Sequence, residues 1–408
     1  VGFRPVRTVA PALIAAVLVA VPAAAQPNPP AADLELAALL ASLRPEALAR
    51  GVSSATFDRA ILGLERDSEV ARLASVQPEN VRTTADYLGA TVTEARIAVG
   101  RAKLAEDRTL LAALEQRYGV DPHVLVAIWG IESVYGAALG TRPVIRSLAT
   151  LAVEDTRRAN YWRRELLAAL QILESRDAGP GDLVGSWAGA MGHTQLMPTT
   201  YNRIAVDFDG DGRRHVWTSP ADALASTAKY LAVAGWRRGE AWGFEVALPQ
   251  RFEFAYSSPA FARPLGFWRG LGLRRPAGRS WPLVHSDLRL LLPAGAQGPA
   301  FLATRNFAVL LAYNNATAYA LAVGHLSDRL AGGPEISAAW PEQKALARSE
   351  REELQRRLQA QGFQAGSVDG IIGHLTRAAI RSYQRSRGLA EDGHPSLDLL
   401  ERLRARRE

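Results

Sequence analysis

The chain has 408 residues, 48% hydrophobic and 22% charged, a globular balance with room for more than one domain. It contains no cysteine, which excludes disulfides, thiolate metal sites and a lipid-bearing cysteine. The net charge is +7 and only three of the 48 basic residues are lysine; arginine and alanine richness of this kind reads partly as coding bias, and although a basic surface suits an anionic polymer, no nucleic-acid motif accompanies it.

Arg4 and Arg7 precede an apolar run from Ala10 to Val21, and Pro22-Ala23-Ala24-Ala25-Gln26 follows. This is the layout of a secretory signal peptide, residues 1–25, with cleavage after Ala25. An uncleaved anchor is the alternative, but the run is short for a membrane span. No later segment is long and apolar enough to cross a membrane. Residues 26–32 read as a Pro/Ala linker. From Asp33 to about Ala178 the apolar residues recur at three and four, which predicts helices. Leu36, Leu39, Leu40 and Leu43 form one stripe; Leu166, Leu170 and Leu173 form another. Both read as core.

Asp121-Pro122 begins a short apolar helix that runs to Glu132-Ser133, with Asp121 as N-cap and Pro122 at the first helical position. Leu125, Ile128 and Trp129 precede Glu132 by seven, four and three residues, so the carboxyl shares their face. Apolar surroundings favour its protonated form, the form that serves as a general acid in glycosidic cleavage. A glutamate at the exposed edge of a core helix is the bland alternative. Further along comes Gly185-Ser186-Trp187-Ala188-Gly189-Ala190-Met191-Gly192-His193-Thr194-Gln195-Leu196-Met197-Pro198. Its small residues permit close backbone approach, and Gln195 offers an amide to a sugar.

Asp207-Phe208-Asp209-Gly210-Asp211-Gly212-Arg213 has the carboxylate spacing of the first half of an EF-hand loop, with Arg213 at the position that offers a backbone carbonyl. Thr218 stands where the usual bidentate glutamate would be. Calcium in a structural role and a solvated Asx turn are the two readings. Residues 242–256 alternate and predict a strand; residues 257–300 read as loops with short strands. A helix then runs through Tyr313-Asn314, where the pair could be a simple C-cap, and another reaches Leu330.

Residues 331–348 read as a linker broken at Gly332-Gly333-Pro334. Residues 349–408 predict three short helices joined by the turns Asp369-Gly370 and Asp392-Gly393, a small helical domain of marginal core size. Those turns are expected to shape a binding surface, with Arg377 and Arg381 available to carboxylates.

Taken in order, the Glu132, Ala190-Met191-Gly192 to Pro198 and Tyr313-Asn314 motifs resemble the lytic murein transglycosylase B family over roughly residues 33–330. The last block resembles the peptidoglycan-binding type 1 domain. The resemblance implies a mainly α protein: a goose-lysozyme-like α+β catalytic domain at 33–330 and a C-terminal three-helix wall-binding domain at 349–408. It implies that Glu132 is the catalytic acid/base and that Ser186, Gln195, Tyr161, Tyr230, Tyr313 and Asn314 line the sugar cleft, with Tyr87 a weaker match. Leu196 departs from the aromatic residue usual after the glutamine, which affects only local contacts. Asp222 would complete a calcium set of Asp207, Asp209, Asp211 and the Arg213 carbonyl, since members of the family with this loop can use an aspartate there. With the leader, a periplasmic enzyme acting on peptidoglycan strands is implied. No cofactor is expected for the chemistry, and no nucleic acid or retained membrane span. The expected reaction cleaves the MurNAc-(β1,4)-GlcNAc bond through a single glutamate and leaves 1,6-anhydroMurNAc. A hydrolytic muramidase on the same fold and a non-catalytic wall-binding scaffold are the competitors.

Overall fold

Leu36, Leu43, Leu166 and Leu170 are each at most 2% exposed, so the two leucine stripes face inward as their helical spacing requires. The structure is a computed structural model describing residues 31–76, 82–258 and 260–405. The expected leader, and residues 26–30 of the expected linker, lie outside the described residues.

The helices Ala31–Ala49, Val144–Glu154, Ala159–Ser175 and Pro198–Ile204 enclose one core around Leu148, Trp162, Leu167 and Tyr201. The helices Pro122–Ser133, Pro220–Val233, Arg305–Tyr313 and Thr317–Leu330 enclose another around Leu125, Ile128, Trp129 and Leu321. Tyr230 and Tyr313 pack against both cores, so their rings lie on the seam between them. No single helix among the described residues is long and apolar enough to cross a membrane. The apolar pair Arg305–Tyr313 and Thr317–Leu330 passes that test only together; it bends by 117° and supplies much of the second core.

A three-stranded antiparallel sheet adjoins the second core. Ala300–Ala303 is its middle strand, between Gly243–Val246 and Arg289–Leu291. Phe244 and Leu290 both register with Leu302. The alternation read over residues 242–256 yields only the four-residue strand, and all of it is buried. Glu245, the polar member of that alternation, does not face water. Its carboxylate accepts the Ser337 and Ala338 N–H groups at 2.7–2.9 Å, so the chain after Leu330 covers that face.

The last helices, Arg348–Ala360, His374–Ser386 and Leu397–Arg404, enclose a small core of Leu354, Leu358, Ile380, Tyr383 and Leu400. Two buried glutamines bind its turns. Gln355 Oε1 accepts the Asp369 and Gly370 N–H groups at 3.1 and 2.9 Å. Gln384 Oε1 accepts the Gly393 N–H at 2.9 Å, and its amide donates to Asp392 Oδ1 at 2.7 Å. The other Asp392 oxygen accepts the Ala296 N–H at 2.8 Å, which ties these helices to the preceding fold. Gly295 makes that approach feasible: its φ is +75°, and an added Cβ would stand 2.7 Å from Asp392 Oδ2. Arg381 Nη2 donates to the Ser257 carbonyl at 3.4 Å, and Arg377 Nη1 to the Gly393 carbonyl at 3.4 Å. The Asp392-Gly393 turn, expected to shape a binding surface, thus faces the preceding fold instead, as Arg381 does, while Arg377 braces the turn from within the module.

Asp392→Ala, or Gly295→Val, should release the module. Limited proteolysis of residues 331–347 should accelerate several-fold while the melting of the rest stays within a few degrees. Unchanged cleavage in both variants would show that this contact does not hold the module.

Candidate active site

Asp121 caps the Pro122–Ser133 helix, its Oδ1 accepting the His123 N–H at 2.8 Å. Leu125, Ile128 and Trp129 are at most 2% exposed. Glu132 follows on the same face, half-buried, at the last turn. Burial pushes its carboxyl up from the ordinary 4.5 to about 7, against the opposing pull of a hydrogen bond from Tyr319. That bond, from Tyr319 Oη to Glu132 Oε1, is 2.6 Å long. Desolvation outweighs it, so near neutral pH the acid and its base are both populated.

Tyr319 belongs to a row of tyrosines. Its ring is parallel to that of Tyr313, with 3° between planes and 6.5 Å between centroids. Tyr313 meets Tyr230 edge-on at 5.1 Å. The phenols anchor to backbone: Tyr313 donates to the Thr194 carbonyl and Tyr230 to the Ala312 carbonyl, each at 2.5 Å. Burial, reinforced by the Glu132 charge, raises the pKa of both Tyr313 and Tyr319. They therefore stay as neutral donors. Tyr87 lies close enough to Tyr319 to add to its rise.

The chain after Glu132 is strained. Val134, Tyr135 and Gly136 have φ of +52°, +58° and +91° in succession. A left-handed β-branched residue is unusual and costs on the order of 1–3 kcal/mol. Ser133 holds the reversal. Its hydroxyl donates to the His193 carbonyl at 2.6 Å and accepts the Gly136 N–H at 3.0 Å. An added Cβ at Gly136 would come within 2.5 Å of the His193 ring, so only glycine fits. Trp129 Nε1 donates to His193 Nδ1 at 3.0 Å, which places the histidine proton on Nε2. Burial lowers the His193 pKa, and the ring remains neutral.

This clamp brings the glycine-rich segment to the helix. Gln195 also has a left-handed backbone, φ +52°. Its amide nitrogen donates to the Leu139 and Gly192 carbonyls at 3.0 and 2.8 Å, which uses both protons and leaves Oε1 as an acceptor. Ser186 Oγ accepts the Ala190 N–H at 3.1 Å and keeps its own proton to donate. Asn314 is exposed at the C-cap of Arg305–Tyr313, directly after Tyr313. The structure thus gathers Glu132, Gln195, Tyr230, Tyr313 and Asn314 about one seam. Tyr161 packs on the first core and meets Trp162 edge-on at 4.8 Å, outside the tyrosine row. Tyr319, His193 and Ser133 were not assigned roles from sequence. Tyr319 lies on the helix after the 117° bend from Tyr313, so no local spacing marked it.

The aspartate loop lies elsewhere. Asp207, Asp209 and Asp211 are exposed, and one oxygen of each lies within 4.8 Å of the others. Backbone N–H groups orient them: Gly210 and Gly212 donate to Asp207, Asp211 to Asp209, and Arg213 to Asp211. Ser219 Oγ donates to Asp209 Oδ2 at 2.6 Å. Converging carboxylate oxygens fit a hard cation such as calcium. Asp222 is fully buried, with Asp209 close enough to raise its pKa. Its two oxygens accept the Phe208 and His215 N–H groups, each at 2.7 Å, so it staples the two ends of the loop. It is not among the three carboxylates whose oxygens converge. For Arg213 the structure shows the N–H bond to Asp211.

Residues 35–328 match the family described as the transglycosylase SLT domain, and residues 347–403 match the one described as a peptidoglycan binding domain. Membrane-bound lytic murein transglycosylase B of Escherichia coli (strain K12) is 36% identical over 222 residues, 53% of this chain and 58% of that protein. The chain therefore matches less than two thirds of that relative's length. The crystal structure of SltB3 from Pseudomonas aeruginosa, in complex with NAG-anhNAM-pentapeptide, is 48% identical and superposes with a TM-score of 0.86, covering 90% of this chain and 99% of that one. Lytic transglycosylase Slt35 of Escherichia coli, in complex with calcium, is 27% identical with a TM-score of 0.59, covering 73% and 92%. The mainly helical, lysozyme-like fold expected from the sequence agrees with these likenesses.

Tyr319→Phe should change the pH dependence in a defined direction. The Tyr319 bond favours the carboxylate, so its loss lets burial raise the Glu132 pKa further. The alkaline limb of the pH–rate profile should move to higher pH, and turnover at its optimum should fall by about tenfold from lost orientation. An unmoved limb would mean that Tyr319 does not bear on the acid.

Proposed function

The chain belongs to the transglycosylase SLT family, and on that premise we propose that it is a peptidoglycan lytic transglycosylase with Glu132 as its single acid/base. The observation that carries this reading is the half-buried Glu132 carboxyl, whose pKa of about 7 is set by desolvation and one neutral phenol, with no second carboxylate among the described residues bearing on it. A hydrolase of the ordinary kind uses two carboxylates. Here one group serves twice. Protonated Glu132 gives its proton to the glycosidic oxygen as the bond from MurNAc C1 breaks. The carboxylate then removes the proton of the MurNAc C6 hydroxyl as O6 bonds to C1. Glu132 ends as it began, no water is consumed, and the product is 1,6-anhydroMurNAc. Tyr319 holds Oε1, which leaves Oε2 for the proton.

Sugar-cleft roles are proposed for Ser186, Gln195, Tyr161, Tyr230, Tyr313 and Asn314. Gln195 Oε1 suits an acetamido or hydroxyl proton, and the Ser186 hydroxyl suits an acceptor oxygen. The anhydro sugar in the SltB3 complex supports the same product here. We further propose that residues 349–408 hold the wall, that the protein works in the periplasm after export, and that Asp207, Asp209 and Asp211, with the Arg213 carbonyl and Asp222, hold a structural calcium. The calcium reading is supported by the calcium complex of Slt35 and by the all-oxygen donor set.

Mass analysis of fragments released from murein sacculi tests the reaction. Products should carry 1,6-anhydroMurNAc ends, and Glu132→Gln should lower release by about 10²-fold or more with unchanged circular dichroism. Fragments one water heavier would make the enzyme a muramidase, and no release by the wild type would leave a wall-binding scaffold.

Calcium should raise the melting temperature, by an amount equivalent to about 2.7 kcal/mol at a hundredfold excess over Kd. Asp207→Ala combined with Asp209→Ala should abolish that rise. Coincident melts in calcium and chelator would assign the loop to solvent.

A further inference from the structure

A cavity of about 300 Å³ lies at the other end of the helix that carries Tyr319. Its walls are the strand Gly243–Val246, the segment with Arg275 and Arg279, the C-terminal end of Thr317–Leu330 and residues 331–336. His325 and Asp328 contribute from the helix. They follow Tyr319 by six and nine residues, which is roughly 9–14 Å along the axis. The cavity is thus separate from the sugar seam.

Its two arginines make no ion pair among the described residues. Arg275 Nη1 donates to the Glu245 carbonyl at 2.5 Å, and Arg279 Nη2 to Ser337 Oγ at 3.2 Å. Both acceptors are uncharged, and Arg275 Nε is buried without a partner. The carboxylates of the cavity wall are engaged elsewhere. Glu245 accepts the Ser337 and Ala338 N–H groups. Glu335 pairs with Arg329 at 3.0 Å. Asp328 Oδ2 accepts Trp242 Nε1 at 3.2 Å. Burial and repulsion from Arg279 hold the Arg275 guanidinium below its ordinary pKa, outweighing the attraction of Glu245 and Asp328. Two guanidiniums thus share a partly desolvated wall, and among the described residues neither is within ion-pair distance of a carboxylate, although Glu245 and Asp328 lie near enough to attract Arg275. An anion there would relieve their repulsion and form charge-assisted bonds.

The rest of the lining narrows the class. Asp328 disfavours a dianion more than a monoanion. The apolar faces of Trp242, Phe301 and Ile336 suit a small hydrophobic body beside the charge. We propose that this cavity binds the carboxylate of a short peptide's C-terminal end, with Arg275 and Arg279 gripping the carboxylate and Trp242 and Phe301 covering the side chain. A volume of about 300 Å³ admits one or two small residues. The source of such a peptide in the wall, the peptide stems, rests on the functional reading above; the binding chemistry does not.

Calorimetric titration of the full chain with N-acetyl-D-alanyl-D-alanine, with its C-terminal amide and with inorganic phosphate tests this. The acid should bind at least about tenfold tighter than the amide or phosphate, a ratio appropriate to one charge-assisted pair. Arg275→Gln and Arg279→Gln should each weaken it about tenfold. Cleavage of peptide-free glycan fragments should stay within twofold of wild type in both variants. Among the described residues the Arg279 side chain hydrogen-bonds only a serine hydroxyl, so Arg279→Gln should fold, and Arg279→Lys should restore part of the affinity. Equal binding of acid and amide, or unchanged binding by Arg279→Gln, would overturn the proposal. Phosphate binding tighter than the acid would overturn the peptide assignment. Selective binding of the acid by a chain that proves inactive on murein would uphold the cavity and overturn only the reaction.

Discussion

The site depends on holding one carboxyl away from water while giving it a single neutral partner. Desolvation raises the Glu132 pKa to about 7; the 2.6 Å bond from Tyr319 fixes one oxygen. Without the apolar helix face the group would be an ordinary carboxylate and a poor acid. A charged neighbour would displace the balance in either direction. Tyr313 and Tyr319, themselves kept neutral by burial, supply contacts without adding charge.

That balance needs two separately built cores to meet in one place. The Pro122–Ser133 helix belongs to one core and the glycine-rich segment joins it to the other. The joint is Ser133, His193 and the left-handed run from Val134 to Gly136. Backbone strain of this size persists only where surrounding contacts over-determine it. Here the Ser133 hydroxyl, the Trp129 indole and the His193 ring do so. The strained turn and the acid are neighbours in sequence, so the geometry of one is set by the rigidity of the other.

Much of this was legible in the chain. Glu132 announced itself through Leu125, Ile128 and Trp129, because helical spacing fixes which side chains share a face. The leucine stripes declared the core for the same reason. Tyr319 was harder: it lies on a different helix, and its bond to Glu132 depends on how the chain bends after Asn315. Asp222 was harder to place, because sequence separation cannot reveal that its two oxygens accept the backbone N–H groups of Phe208 and His215. Asp392 looked like a surface turn until Ala296, 96 residues earlier, supplied its partner. Local periodicity carries through to structure; long-range pairing of polar groups does not appear in any short motif.

The most direct test of the account is a carbon-13 NMR titration of the side-chain carboxyls, with Glu132→Gln used to assign the Glu132 signal. A resonance absent from the variant that titrates near pH 7 would match a desolvated, singly partnered acid. A Glu132 resonance titrating at the ordinary 4.5 would contradict it, since the group would then be an anion throughout the working range and could not deliver the proton.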